Sequence, residues 1–237
     1  MKIQFLIVAI LTLVMMSCSK ERIKPSSTIT SEHRNVSDFH QVIVSGAIEA
    51  DVIFSSTEEK VVVEANSNIH AYIRTEVLAG VLYIHVKENI QFKKEPTIRV
   101  HITALSLDGI QVSGASNFAI LNNLVSPILN VEITGASTIS GSVIVEDCSI
   151  KLSGASNGNL HGNTSNAKMN ISGASSIRGT GFSIDDLQIN LSGASNAKLQ
   201  VNDSIDVTAS GASTLEYTGN AVITNSDLSG SSSVMKL

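Results

Sequence analysis

Tryptophan is absent from this 237-residue chain, and aromatic residues of all kinds make up only 4% of it. A compact helical enzyme would carry more aromatics, together with more Leu, Glu and Lys. Charged residues are also scarce, at 16%, and the formal net charge is −5. Binding nucleic acid means neutralising phosphates with a basic face, and no Lys/Arg cluster stands out along the chain, so no nucleic-acid partner is expected. Helical periodicity is missing too. No window carries apolar residues at i, i+3, i+4 and i+7, which excludes a solenoid of helices. What the chain does have is 43% apolar residues, 16 glycines and abundant Ser, Thr and Asn. This composition suits many short strands joined by tight turns.

The first residues differ from the rest. Lys2 is followed by an almost unbroken apolar run from Ile3 to Met16, and then by Ser17-Cys18-Ser19-Lys20. The run is too short to span a bilayer and reads as a signal-peptide core over residues 1–17. A small residue directly before Cys resembles a lipobox, here Met15-Met16-Ser17-Cys18. The resemblance implies cleavage before Cys18, acylation of its thiol, and a chain exported and tethered to the bacterial envelope, at the outer membrane on its periplasmic or surface face. Residues 18–34 are polar, contain Pro25, and are expected to be a flexible linker. With Cys18 lipidated, Cys148 has no partner for an internal disulfide.

The main signal is a repeat. Ser-Gly-Ala-Ser or a close variant recurs on Gly114, Gly135, Gly154, Gly173, Gly193, Gly211 and Gly230, at gaps of 21, 19, 19, 20, 18 and 19 residues. Two residues before these glycines stand Val112, Ile133, Leu152, Ile171, Leu191, Ala209 and Leu228, and four before stand Ile110, Val131, Ile150, Met169, Ile189, Val207 and Ser226. Polar residues separate the two columns, which is the alternation of a half-buried strand. A second strand follows each glycine, on Phe118, Ile139, Gly158, Ile177, Ala197, Leu215 and Val234. Ile144, Ile184, Val201 and Val222 suggest a third, less regular side.

Short strands, a fixed corner and this period predict an all-β fold, a right-handed parallel β-helix with about 19 residues per coil. Neighbouring coils would lie ~4.8 Å apart. The corner glycines supply the positive φ of a sharp turn. The flanking Ser, Thr and Asn would stack as ladders. Cys148 falls in an inward column with Ala167, Leu187 and Ile205 and acts as a small hydrophobe. The solenoid is assigned to residues 106–237. Residues 35–105 lack the period but read as strands, an irregular β cap continuous with it. Within them Val42-Ile43-Val44-Ser45-Gly46 echoes Ile110-Gln111-Val112-Ser113-Gly114. It reads as a degenerate first coil, with residues 54–105 looped out as hairpins.

These residues resemble the head GIN domain family, classed as candidate auto-transporter adhesins of unestablished function. The resemblance rests on Arg34-Asn35-Val36 through Phe39, on Val42 to Gly46, on Ile73-Arg74-Thr75-Glu76-Val77 with Gly80 and Leu82, and on the Ser-Gly-Ala-Ser series. It spans about residues 34–237. The three-letter signature of the family is not intact, since Gly109-Ile110-Gln111 stands in its place. The family implies a β-helix-like fold, export, often as a lipoprotein, and a role in adhesion.

Chemistry is sparse. Glycan-cleaving β-helices need converging acids, and none converge here. Glu132 and Lys151 share a phase and would form an exposed pair. One corner is acidic in phase: Glu146 and Asp147, Ser165 and Asn166, Asp185 and Asp186, then Asp203 and Ser204. Glu146, Asp147, Asp185, Asp186 and Asp203 make the candidate Ca²⁺ corner, against the plainer reading that Asp and Asn favour turns. His85 and His101 are expected as neighbours on the outside of paired strands. No cofactor is implied. The function read from the sequence is a non-catalytic envelope module that binds glycan or protein through a β-face. The alternatives are a structural spacer or, less favoured, a glycan-cleaving enzyme. At the far end, Leu228, Val234 and Leu237 would leave an apolar surface for a second copy or a partner.

Overall fold

The structure, a computed structural model, describes residues 21–237. The apolar leader and Cys18 lie outside the described residues. The strands are β1 (Glu21–Ile23), β2 (Ile29–Arg34), β3 (Gln41–Ser45), β4 (Glu49–Phe54), β5 (Lys60–Asn66), β6 (Ile73–Leu78), β7 (Val81–Val86), β8 (Ile90–Phe92), β9 (Ile98–Ala104) and β10 (Gly109–Ser113). The long, corner-turning strands follow: β11 (Asn117–Ile133), β12 (Thr138–Leu152), β13 (Asn157–Ile171), β14 (Ser176–Leu191) and β15 (Asn196–Ala209). Last come β16 (Thr214–Thr218), β17 (Val222–Leu228) and β18 (Ser233–Lys236). All except β1 and β8 join one 16-stranded sheet wound into a β-solenoid of about 7 turns, with about 19 residues per coil.

The repeat columns become the walls of the core. Ile110, Val131, Ile150, Met169, Ile189 and Val207 are all buried, as are Phe118, Ile139, Ile177, Ala197 and Leu215 beyond the corner. Parallel register carries each column from coil to coil, as in Ile150 beside Met169 and Met169 beside Ile189. The third side departs from expectation. Its inward positions are Leu124, Val143, Val145, Phe182, Ile184 and Val201, while Ile144 is half-exposed and Val222 is 67% exposed. Register shifts between Ile120 and Leu124, Asn159 and His161, and Gly179 and Ser183 displace the phase there. The alternation also flips at the corner, where Glu146 and Asp147 both face outward, so counting back from Gly154 puts Ile144 inward when its neighbours Val143 and Val145 are the buried residues.

At each corner the glycine carbonyl accepts a hydrogen bond from the N–H after the next coil's glycine. Ala155 to Gly135, Ala174 to Gly154 and Ala212 to Gly193 are each 2.7 Å. Two constraints then select glycine at a mid-stack corner. Gly173 has φ +74°, and a Cβ on it would lie 2.5 Å from the Gly154 carbonyl oxygen. The serine two residues past each glycine points inward: Ser116, Ser137, Ser156, Ser175, Ser195 and Ser213 are fully buried. Their hydroxyls are used. Ser137 Oγ accepts from the Ser116 N–H (3.2 Å), Ser156 Oγ donates to the Ser153 carbonyl (2.7 Å), and Ser213 Oγ donates to the Ser210 carbonyl (2.9 Å). Unmade, such a buried polar group would cost about 1–3 kcal/mol.

The N-terminal part is more ordered than its sequence suggests. β3 pairs in parallel with β10 and β4 with β11, so residues 41–54 do form the coil that the Val42–Gly46 echo implies. Residues 54–105 do not simply loop out. β7 pairs in parallel with β3 and β9 with β4, which adds another coil on the far side of residues 41–54. Coil order along the axis therefore differs from chain order. Antiparallel strands then close that end: β6 on β7, and β5 followed by β2 on β9. The β6–β7 turn is Ala79-Gly80, with φ +51° and +78°, the positive pair that a two-residue hairpin requires.

The expected linker also needs correcting. Within residues 21–34, β1 (Glu21–Ile23) runs parallel to β8 and β2 (Ile29–Arg34) antiparallel to β5. Asn66 Nδ2 donates to the Ser26 carbonyl (2.7 Å) and Asn68 Nδ2 to the Lys24 carbonyl (2.9 Å). The segment is polar because β2 is an edge strand with almost every side chain in water, and that composition cannot be told from a linker by sequence.

The corner geometry ranks the glycines. Gly173→Ala places a side chain at positive φ, roughly 1–2 kcal/mol, and also against stacked backbone. Gly135→Ala meets nothing nearer than 3.4 Å and should show the conformational cost alone. Gly230→Ala would meet the Gly211 carbonyl at 2.7 Å, but in the outermost described layer, which can lift without parting two neighbours. Urea unfolding should rank the losses with Gly173→Ala largest. Equal losses at the three sites would contradict the stacking argument.

Candidate functional site

Two faces of the stack point outward in straight columns, because parallel register repeats every side chain at strand spacing. On the face after the corners, one column reads Asn117, Thr138, Asn157, Ser176, Asn196, Thr214 and Ser233. Amide and hydroxyl alternate and bond to each other: Thr138 Oγ1 to Asn117 Oδ1 and Ser176 Oγ to Asn157 Oδ1, both 2.7 Å. Toward the capped end this face carries ion pairs of Arg99 with Glu49 (3.0 Å) and Glu64 (2.9 Å), and a hydrogen bond between His101 Nδ1 and Asp51 Oδ2 (2.8 Å). The two carboxylates raise the Arg99 pKa, Glu49 contributing most. Much of the polarity of this face is engaged in this way, although Arg178 stays exposed and forms no hydrogen bond or ion pair among the described residues, beside a shallow groove of about 920 Å³ lined by Ser176, Asn196, Lys198, Thr214 and Glu216.

The face before the corners is different. A shallow groove of about 440 Å³ runs along it, over the backbone of Cys148, Ala167 and Leu187. One wall is the acidic corner, the other the column of Asn130, Ser149, Lys168, Gln188 and Asp206. The wall at the corner alternates. Asp147, Asn166, Asp186 and Ser204 lie in register on successive coils. Asn166 Nδ2 donates to Asp147 Oδ1 (3.0 Å), and Ser204 Oγ donates to Asp186. Behind it Asn202 Nδ2 reaches Asp185 Oδ1 at 3.3 Å. The acidic corner is thus a series of carboxylates separated by neutral donors. Among the described residues no three His, Cys, Asp or Glu side chains are grouped as they would be to hold a metal ion.

The other wall is freer. Lys168 and Gln188 are exposed and form no hydrogen bond or ion pair among the described residues. Further along this face Lys151 Nζ pairs with Glu132 at 2.8 Å, as the shared phase implied. Exposed pairs of this kind contribute at most ~1 kcal/mol. His85 and His101 are not neighbours. His85 sits on β7 opposite Arg74, and His101 on β9 beside Asp51, on different sides of the stack. His70, unremarked in the sequence, is buried in the cap with Nε2 on Thr30 Oγ1 (3.0 Å) and the Thr30 carbonyl (3.1 Å). Nothing in its sequence surroundings signals this, because its partners lie on a strand 40 residues away.

Comparison with known proteins places the chain. A family profile described as "Putative auto-transporter adhesin, head GIN domain" matches residues 38–221. The chain belongs to this family. No curated protein matches it. Among solved structures, a candidate adhesin from Bacteroides fragilis shares the fold at TM-score 0.86 and 18% identity, over 91% of this chain and 100% of that one. A candidate lipid-binding protein from Parabacteroides distasonis gives TM-score 0.76 at 17% identity over 92% and 100%, and a candidate adhesin from Parabacteroides merdae gives 0.73 at 16% over 92% and 99%. At these identities the likeness concerns the fold.

In this head GIN domain chain Cys148 is buried, and desolvation pushes its thiol pKa up to about 12 from an ordinary 9.0. A reactive thiol needs the opposite shift. Disulfide reagents at pH 8 should therefore leave Cys148 unmodified until denaturant is added. Because the folded pKa is raised, the thiol's contribution to stability is complete below about pH 9 and is lost as pH climbs toward 12,. Cys148→Ala should flatten that part of the pH–stability curve. Equal slopes in both chains would show that the thiol does not titrate on unfolding.

Proposed function

We propose that the chain is a non-catalytic binding module of the bacterial cell envelope, an adhesin-type protein exported and tethered through a lipid on Cys18. It presents the groove on the face before the corners to a glycan or protein. The observation that carries this reading is the contrast between the two outer faces. One engages much of its polar surface in its amide–hydroxyl ladder and in ion pairs, Lys198 with Glu216 among them. The other keeps Lys168 and Gln188 unengaged beside a groove. A catalytic role fits poorly, since the corner carboxylates are held apart by Asn166 and engaged by Ser204 and Asn202. Family membership and the fold likeness to candidate adhesins support a binding role.

The test is a glycan and protein-partner screen on the chain from Ser19 onward, which keeps every described residue. For a ligand so found, Lys168→Ala with Gln188→Ala should weaken binding at least tenfold, about 1.4 kcal/mol. Lys198→Ala on the other face should leave it unchanged. The reverse pattern would move the site to the other face and sink this reading.

The outermost described layer is the place for self-association. Val222 (67% exposed), Leu237 (57%), Met235 (46%) and Leu228 (43%) show apolar surface there, next to the unpaired edges of β17 and β18. Val234 is partly covered against the core. Sedimentation over a range of concentrations should show reversible dimers that Leu228→Asp abolishes. A mass independent of both concentration and that substitution would rule the dimer out.

A further inference from the structure

The capped end gathers cations that the sequence keeps apart. β1 and β8 run in parallel, with Arg22 beside Gln91 and Ile23 beside Phe92. The Lys93 N–H donates to the Ile23 carbonyl at 2.8 Å. Lys24 is thereby brought beside Lys93 and Lys94. Arg22, Lys24, Lys93 and Lys94 are all exposed, and none forms an ion pair among the described residues. Lys87 lies close by, over the Tyr72 ring at 5.9 Å. The carboxylates of this region are Glu21, Glu88 and Glu95, and Glu21 Oε1 is occupied by the Tyr72 hydroxyl at 2.9 Å. In a chain of net charge −5, this is a local positive excess. Sequence reading found no Lys/Arg cluster because the two halves of this one arrive from different strands.

We propose that this basic tip is a docking surface for an anionic phospholipid bilayer. The proposal rests on the reading of Cys18 as a lipid tether. Cys18 stands three residues before Glu21, where β1 begins. Three residues reach at most roughly 10 Å, about one Debye length at ordinary ionic strength. A lipid on Cys18 therefore holds the tip inside the surface potential of the membrane, with no long stalk between. Anionic headgroups attract the tip and repel the acidic body of the solenoid. The stack then stands cap-down, with its groove carried away from the membrane on a rigid rod. This geometry follows from β1 and β2 being part of the fold; a flexible linker over residues 21–34 would have removed it.

The experiment uses the chain from Ser19 onward with two sets of vesicles, phosphatidylcholine alone and phosphatidylcholine mixed with phosphatidylglycerol. Sedimentation with the mixed vesicles is expected, weakening steeply as salt is raised. Each cation removed, Arg22→Ala or Lys24→Ala, should lower partitioning about fivefold. Lys93→Glu with Lys94→Glu should abolish it. Lys151→Glu with Lys198→Glu, on the body, should leave it intact, and melting curves check that the surface variants remain folded. Equal binding to both vesicle types, or equal loss from cap and body variants, overturns the proposal. A separate arm follows labelled fatty acid into the full-length chain and its Cys18→Ala variant. Label that depends on Cys18, without cap-dependent vesicle binding, keeps the tether and overturns the docking surface. Cap-dependent binding without label keeps the surface and overturns the tether.

Discussion

The glycine corners set the distance at which everything else in the solenoid packs. Each corner carbonyl takes an N–H from the next coil at 2.7–2.8 Å, so the ladder continues through the turn. That approach leaves no volume for a side chain: at Gly154, Gly173, Gly193 and Gly211 a Cβ would fall 2.5–2.6 Å from the preceding carbonyl. The serine beyond the corner is the second half of the device. Its buried hydroxyl satisfies turn backbone that the bend would otherwise strand without a partner,. With corners fixed, flanking strands keep common register, and apolar columns meet side chain to side chain along the axis.

A stack built this way has an end problem. Every coil offers the next a row of unpaired strand backbone. At the N-terminal end the chain answers by reversing direction. β6 extends one side of the stack in antiparallel fashion, and β5 with β2 extends another. A strand laid antiparallel no longer offers the parallel register on which a further coil would grow. Its outer surface is polar, with β2 exposed along nearly its whole length. Among the described residues the opposite end is formed by β17 and β18, and β17 is exposed throughout. Among the described residues the two ends differ chemically, one charged and the other showing apolar side chains.

Sequence carried the periodic part of this structure and little of the rest. The columns at Ile150, Met169 and Ile189 could be read directly, because strand alternation and the corner glycine report the same phase. Cys148 could be placed by the same count. The count fails across the corner, where Glu146 and Asp147 both face outward and the alternation changes phase, which is why Ile144 faces partly outward while Val143 and Val145 are buried. It also fails where coil order departs from chain order. β7 and β9 are recognisable as strands, but nothing local tells that they stack beneath β3 and β4. The same blindness hid the Arg22–Lys94 cluster and misplaced His85 beside His101. At the groove, the acidic phase of Asp147 and Asp186 was legible. The donors that neutralise it, Asn166 and Ser204, were visible as residues but not as partners.

Recognition has to draw on what the fold leaves over. Inward positions are fixed by packing, and corner positions by the close approach of glycine backbone. Outward positions are free in principle, yet many are consumed in holding coils together, as Asn117, Thr138, Asn157 and Ser176 are. A side chain already bonded along the axis must break that bond to bind a ligand, which offsets most of what it would gain. Lys168 and Gln188 carry no such debt, and they sit on the rim of a groove whose floor residues Cys148, Ala167 and Leu187 turn their side chains into the core. In a molecule built of near-identical coils, specificity can arise only where the outward pattern breaks its own repeat. The column Asn130, Ser149, Lys168, Gln188, Asp206 is such a break, neutral at one end, cationic in the middle and acidic at the other. A ligand reading that column would meet one cation and one carboxylate two strand separations apart among neutral amides and a hydroxyl, a pattern that distinguishes one register from the others.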